Sequence, residues 1–266
     1  MRSAVRRTPL GSVLLSTLVL AGCATADGSS AAGGQSSSST SNVSGTVTVF
    51  AAASLTDAFD RIGAQFERQH PDVTVLFSFG ASSGLAQQIL AGAPVDVFAA
   101  ASPATMQTVV DAGDATDPEV FVRNRLEIAV PPDNPGGVAG LADCAKPDLT
   151  LALCAAEVPC GAAAAEVFSA AGIEPAPDTL EQDVRAALSK VVMGEVDAAL
   201  VYRTDVLAAG DGVKGIEFAE SDQAINDYPV AALADATNPA AATAFVTYVL
   251  SSEGQSVLAD AGFESP

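Results

Sequence analysis

Apolar residues recur along this chain in two alternating rhythms. Short runs rich in Val, Ile, Phe and Ala read as buried strands, and longer stretches with apolar residues three and four apart read as one-sided helices. The first run is GTVTVFAA at 45–52, followed by a helix carrying Ala58, Phe59, Ile62 and Phe66 on one face. Further strands fall at 73–79, 95–100, 126–130, 149–154, 198–202, 216–218 and 230–233. Helices fall between them at 84–91, from Pro103 through Met106, Val109 and Val110, at 161–171 and 184–192, and finally at 239–250 and 253–261. Such alternation predicts an α/β fold of mainly parallel sheet flanked by helices. Ligands in these folds sit at the carboxyl ends of strands, where helix N-termini point.

The N-terminal 44 residues follow neither rhythm. Arg2, Arg6 and Arg7 precede an apolar run at 13–21 that is too short for a permanent membrane span, the layout of a signal peptide over 1–22. The run ends Leu20-Ala21-Gly22-Cys23, which resembles the bacterial lipobox and implies lipidation of Cys23. The pair Arg6-Arg7 raises twin-arginine export, but the flanking residues fit that signal poorly. Residues 23–44 are almost all Ser, Gly, Ala and Thr, a flexible tether. The remainder is long enough for one large domain or for two lobes, each with its own core.

Twelve basic residues face 32 acidic ones, a formal charge of −20, and removing the leader's three arginines takes it to −23. That surface repels nucleic acid and anionic headgroups, so no nucleic-acid partner is expected. It also disfavours an anionic ligand at long range, so anion binding here requires short-range, preorganised donors. Apart from Cys23, cysteines stand at 144, 154 and 160. An odd number outside the membrane leaves one free or paired elsewhere. A Cys154–Cys160 bridge closes a small loop around Pro159; the alternative is three small buried apolar side chains.

Several strand-to-helix junctions are short and built of small or hydroxyl residues: Ala51-Ala52-Ala53-Ser54-Leu55-Thr56, Gly80-Ala81-Ser82-Ser83-Gly84, Pro159-Cys160-Gly161 and Gln182-Asp183-Val184-Arg185. Each alone is an ordinary helix cap. Together they offer free amides and the positive ends of several helix dipoles, about half a unit charge each. Such a site binds an anion without Lys or Arg, and a site of donors only rejects a protonated ligand. Tyr202 ends an apolar strand and adds a hydroxyl donor there. Signatures of other chemistry are missing. His70 is the only histidine, and a Ser54–His70–Asp60 triad fails because His70 lies roughly 20 Å along the helix that begins near Ser54. There is no Walker sequence.

The segments VTVFAAASLTDAF (47–59), FGASSGLAQQILAGAPVDVFAAAS (79–102), VPCGAAA (158–164), EQDVRAALSKVVMGEVDAALVYRTDV (181–206) and DYPVA (227–231) together resemble the periplasmic molybdate-binding proteins of ABC importers. A final helix ending Gly262-Phe263 completes the set. The resemblance implies a two-lobed type II periplasmic-binding fold with a two-stranded hinge, lobe one being 45–123 with 229–266 and lobe two 124–228. It implies a ligand, molybdate or tungstate, held by the Ser54 hydroxyl and amide, by Ser82 and the Ser83 amide, by the Cys160 and Val184 amides and by the Tyr202 hydroxyl. Molybdenum then arrives as an oxyanion with no protein ligand on the metal, and no cofactor is implied. Cys160 departs from the small residue usual there, which matters little where only its amide is used. Asp96, Asp183 and Asp205 read as capping or orienting groups, since a bare carboxylate repels the ligand. The implied setting is a monomeric, lipid-anchored extracytoplasmic protein that delivers to a membrane permease. Competing expectations are a sulfate or phosphate binder, a secreted serine hydrolase using Ser54, and a regulator's sensor domain, which would need a DNA-binding helix pair and against which the lipobox and the acidic charge argue.

Overall fold

A computed structural model describes residues 43–266; the leader, Cys23 and the tether up to residue 42 lie outside the described residues. The chain first lays down β1 (Gly45–Ala52), α1 (Thr56–Gln69), β2 (Val73–Gly80), α2 (Ser82–Leu90), β3 (Val97–Ala99), α3 (Pro103–Asp111) and β4 (Glu119–Asn124). Only Arg125 separates β4 from β5 (Leu126–Val130), which belongs to a second sheet. That sheet is completed by β6 (Leu151–Cys154), α4 (Pro159–Ala171), β7 (Thr179–Glu181), α5 (Val184–Val192), β8 (Ala198–Tyr202), α6 (Arg203–Ala209) and β9 (Lys214–Ile216). The chain then returns through β10 (Asn226–Ala232) to the first sheet and ends in α7 (Pro239–Leu250) and α8 (Ser252–Asp260).

The two sheets have orders β2-β1-β3-β10-β4 and β7-β6-β8-β5-β9. In each, four strands run one way and one is reversed: β10 in the first and β5 in the second. The reversed strand is the one on which the chain arrives from the other lobe. This is the α/β fold expected from the alternation of strands and helices, in the two lobes that the family resemblance implies. α1 buries Ala58, Phe59, Ile62, Gly63 and Phe66, the spacing of one helical face. Those rings meet Phe245 of α7 edge to face, with centroids 6.1 Å (Phe59) and 5.4 Å (Phe66) apart. A separate core of Val, Leu and Ala fills the second lobe.

The crossing is strapped from outside by the C-terminal residues. Arg123 and Glu264 exchange backbone hydrogen bonds of 2.8 and 2.9 Å. The Glu264 carboxylate receives two hydrogen bonds from Arg125, at 2.6 and 3.0 Å, while Arg125 also pairs with Asp222. Asp227 on the returning strand takes Arg123 at 2.7 Å.

Several boundaries differ from the periodicity. β4, β7 and α6 carry too few apolar residues to show a rhythm. β10 begins at Asn226 rather than 230, because Pro229 reads as a breaker; a register shift between Tyr228 and Pro229 accommodates its missing N–H. Residues 226–228 and Asn124, assigned to the second lobe from sequence, pair within the first sheet. β9 comes earlier than 216–218, and α2 and α4 each start two residues earlier than their apolar faces suggest.

Candidate oxyanion site between the lobes

The carboxyl ends of β1, β2, β6 and β8 converge on a small cavity walled by both lobes. The first lobe supplies Ala52, Ala53, Ser54, Gly80, Ala81, Ser82 and Ala101; the second supplies Val158, Pro159, Cys160, Asp183, Val184 and Tyr202. The lobes are in contact around it. Ala53, from the first lobe, packs among the buried side chains of the second.

Helix starts at the cavity differ from those elsewhere. α3, α7 and α8 begin away from it, and each has a side-chain cap: Ser102 accepts from the Thr105 amide, Asn238 from Ala241 and Ser251 from Gly254, all at 3.2 Å. α2 and α4 begin at the cavity behind Ala81 and Val158, which offer no side-chain acceptor. The short 3-10 turn Ala53–Leu55 that leads into α1 is likewise uncapped behind Ala52. α5 is the intermediate case. The Asp183 carboxylate accepts from the Ala186 amide at 2.9 Å and leaves the Val184 amide free in the first turn. Helix starts that lack a side-chain cap thus gather at this cavity, and they bring the positive ends of their helices with them.

Local chemistry fixes these donors. Cys160, second residue of α4, is disulfide-bonded to Cys154, the last residue of β6, with Cα atoms 5.8 Å apart. Next to it, a side chain on Gly161 would place Cβ 1.9 Å from the Ala155 carbonyl oxygen, so only glycine allows α4 to begin this close to the strand. Among the described residues Cys144 is the cysteine left free; it is buried, and desolvation pushes its thiol up to about 12. The Ser82 hydroxyl, 1 % exposed, accepts the Ala101 amide at 2.9 Å, so its own hydrogen is available to the cavity. Ser54 shares a 2.9 Å hydrogen bond with Tyr228 on β10.

Tyr202 is 1 % exposed, and its hydroxyl is buried with no hydrogen-bond partner among the described residues. An unsatisfied buried hydroxyl costs about 1–3 kcal/mol, so a group left this way inside a cavity points to an acceptor that comes with a ligand. Burial first, then the phenol of Tyr228 and the charge of Asp205, hold the Tyr202 hydroxyl protonated far above its usual range. The two tyrosine rings meet edge to face, centroids 6.0 Å apart, although their hydroxyls do not make a well-formed hydrogen bond.

Carboxylates approach the site but are occupied. Asp205 is fully buried behind Tyr202, accepts the Tyr202 amide at 3.1 Å and lies 4.0 Å from Arg185. Desolvation lifts its pKa to about 7, while Arg185 and the Tyr202 amide pull the other way. Arg185, next to Val184, also reaches across to pair with Asp57 on α1, an ion pair that joins the two lobes at the rim of the cavity. Asp96 lies elsewhere, accepting from the Thr48 amide, the Thr237 hydroxyl and the Asn238 amide at 2.7–2.9 Å. No group of three or more His, Cys, Asp or Glu side chains converges to hold a metal among the described residues.

Of the residues singled out from sequence, Ser54, Ser82, Cys160, Val184 and Tyr202 line this one cavity. Ser83 does not; it lines an adjoining groove with Gln87 and Asp183, although its amide belongs to the same uncapped first turn. The rejected triad stays apart: Ser54 pairs with Tyr228, while His70 ends α1 and packs on Phe66. Sequence reading passed over Tyr228 and Asn124, which stand behind Ser54; the motif DYPVA held the first, but nothing in it marked the tyrosine as a neighbour of the site.

The fold and the cavity define a two-lobed solute-binding protein with an anion-accepting cleft. Residues 47–264 match the family model of bacterial extracellular solute-binding proteins, and the chain belongs to that family. It is similar to the molybdate-binding protein ModA of Mycobacterium tuberculosis, 39% identical over 221 residues that cover 83% of this chain and 85% of that one. Among solved structures, the periplasmic molybdate-binding protein of Azotobacter vinelandii superposes with a TM-score of 0.72 at 18% identity, over 83% of this chain and 99% of that one. The sulfate-binding protein SubI of M. tuberculosis gives the same TM-score at 20% identity, over 83% and 86%. At these identities the superpositions establish the fold alone.

Proposed function

We propose that this protein is the substrate-binding component of an ABC importer that captures molybdate, or the near-identical tungstate, between its lobes. The observation that carries the reading is the buried, unpartnered Tyr202 hydroxyl in a cavity ringed by uncapped helix starts. The similarity to ModA of M. tuberculosis supports molybdate as the anion. The donors are the Ser54 hydroxyl and amide, the Ser82 hydroxyl, the Ser83, Cys160 and Val184 amides and the Tyr202 hydroxyl; molybdenum has no direct protein ligand. Hydrogen bonds to an ionised ligand contribute about 1.5–3 kcal/mol each. A few therefore suffice after the costs of desolvation and closure. The ligand touches both lobes, stabilises the closed form and so presents a distinct shape to a permease. It is bound and released unchanged, by a single chain held outside the membrane through lipid on Cys23.

Thermal melting with molybdate, tungstate, sulfate and phosphate tests this. Molybdate and tungstate raise the midpoint by mass action more than sulfate does. No shift with the first two, or a larger one with sulfate, would refute the assignment.

A further inference from the structure

The Ser54 hydroxyl can either give or receive a hydrogen bond, yet an oxyanion site needs it only to give. The groups behind it decide which. The Arg125 amide can only donate, and it donates to Asn124 Oδ1 at 3.1 Å. The orientation of the Asn124 amide is thereby fixed, with Nδ2 facing the other way. Nδ2 in turn can only donate, to Thr204 Oγ1 at 2.8 Å and to Tyr228 Oη at 3.4 Å. Tyr228 is fully buried, and among the described residues its hydroxyl makes hydrogen bonds of good geometry only with Asn124 and Ser54, the Tyr202 hydroxyl beside it making none. Since Asn124 supplies a hydrogen, the phenol's own hydrogen has one acceptor left, Ser54 Oγ at 2.9 Å. The hydrogen of Ser54 is then free for the cavity. Ser82 is treated the same way by the Ala101 amide.

We infer that Tyr228, oriented by Asn124, is a positioning and specificity residue: it locks Ser54 as a donor, so that the site accepts fully ionised oxyanions and refuses protonated ones. This rests on the oxyanion reading of the cavity. Tyr228 touches no ligand itself. The relay also crosses between lobes, since Asn124 and Tyr228 lie in the first sheet while Thr204 lies on α6 of the second lobe. Without the phenol hydroxyl, Ser54 can turn and accept, and a ligand's P–O–H hydrogen then finds a partner.

The test is a double-mutant cycle of Ser54→Ala and Tyr228→Phe, read by calorimetric titration with molybdate and with inorganic phosphate at pH 6, where phosphate carries hydrogens. The Phe ring keeps the packing against Tyr202 and Phe263. Tyr228→Phe should weaken molybdate about 3- to 10-fold, the range of one ordinary hydrogen bond. It should leave phosphate unchanged or tighter and have no further effect in the Ser54→Ala background. Equal losses in both backgrounds, or phosphate falling in parallel with molybdate, overturn the relay. Asn124→Asp gives a second route: the introduced carboxylate draws the phenol hydrogen away, so molybdate should again weaken while the unliganded melting curve stays cooperative. Unchanged molybdate affinity there also overturns the relay. If the wild-type protein prefers sulfate, the same cycle is run with sulfate. A wild type that binds none of these anions overturns the oxyanion reading itself.

Discussion

Replacing Tyr202 with phenylalanine removes one oxygen from the centre of the proposed site and nothing else. That oxygen has no hydrogen-bond partner among the described residues, so its loss deprives none of them. The ring still packs edge to face on Tyr228. With molybdate bound, the same substitution deletes a hydrogen bond to an ionised ligand, about 1.5–3 kcal/mol. At 1.4 kcal/mol per decade this is roughly a 10- to 150-fold rise in Kd. The two effects separate in a melting experiment. At a ligand concentration of 100 times the wild-type Kd, binding stabilises the wild type by about 2.7 kcal/mol. A variant with a hundredfold weaker site gains about 0.4 kcal/mol at the same concentration. The expected result is a Tyr202→Phe protein with an undiminished unliganded midpoint and an almost vanished molybdate shift. An affinity within twofold of wild type would refute the donor role. So would an unliganded midpoint several degrees lower, since the hydroxyl would then be serving the protein itself.

Three further outcomes follow from the geometry. Reducing the Cys154–Cys160 bridge reopens a loop of sequence separation 6, for which the chain-entropy estimate is a loss of about 2 kcal/mol; melting with and without reductant measures it, and molybdate affinity should fall with it because the first turn of α4 loses its tie to β6. Asp205 has a folded pKa raised to about 7, so the native state holds a proton that the unfolded chain gives up near pH 4; its contribution to stability is therefore present in acid and is lost as pH rises to 7, and Asp205→Asn should flatten that decline in denaturant titrations across the range. Arg185→Gln breaks the pair with Asp57 that bridges the lobes; both side chains are partly exposed, so the coupling is on the order of 0.2–1 kcal/mol, and stopped-flow release of molybdate should quicken by up to about fivefold, an effect that salt reduces in the wild type.

How far the sequence could be read follows from which interactions are local. α1 was legible because Phe59, Ile62 and Phe66 repeat at helical spacing, and β1 and β8 because they are short apolar runs with small residues beyond them. β4 was not, since Glu119 and Arg123 interrupt its pattern and its stability comes from pairing with β10, about a hundred residues away. Pro229 hid β10 for the complementary reason. The small-residue junctions marked where the cavity lies, but hydroxyl direction is a property of contacts across the fold. Ser54 meets Tyr228 across 174 positions, and Asn124 meets Tyr228 across 104. No pattern along the chain encodes those meetings. The starts of α2 and α4 were placed two residues late because the polar residue that ordinarily announces a helix is missing from both.

That omission has a cost in stability that the protein tolerates. A Ser, Thr, Asp or Asn cap contributes about 0.5–2 kcal/mol to a helix, and the positions before α2 and α4 hold Ala81 and Val158 instead. Ala81→Asp and Val158→Ser are thus obvious stabilising substitutions on any survey of helix ends. They would also put an acceptor where the anion must sit, and the first would add a negative charge. Fold stability and capture pull against each other at these two positions, so selection for a sturdier scaffold alone would close the site. In the proposed function, the bound anion takes the place of the caps that the sequence leaves out.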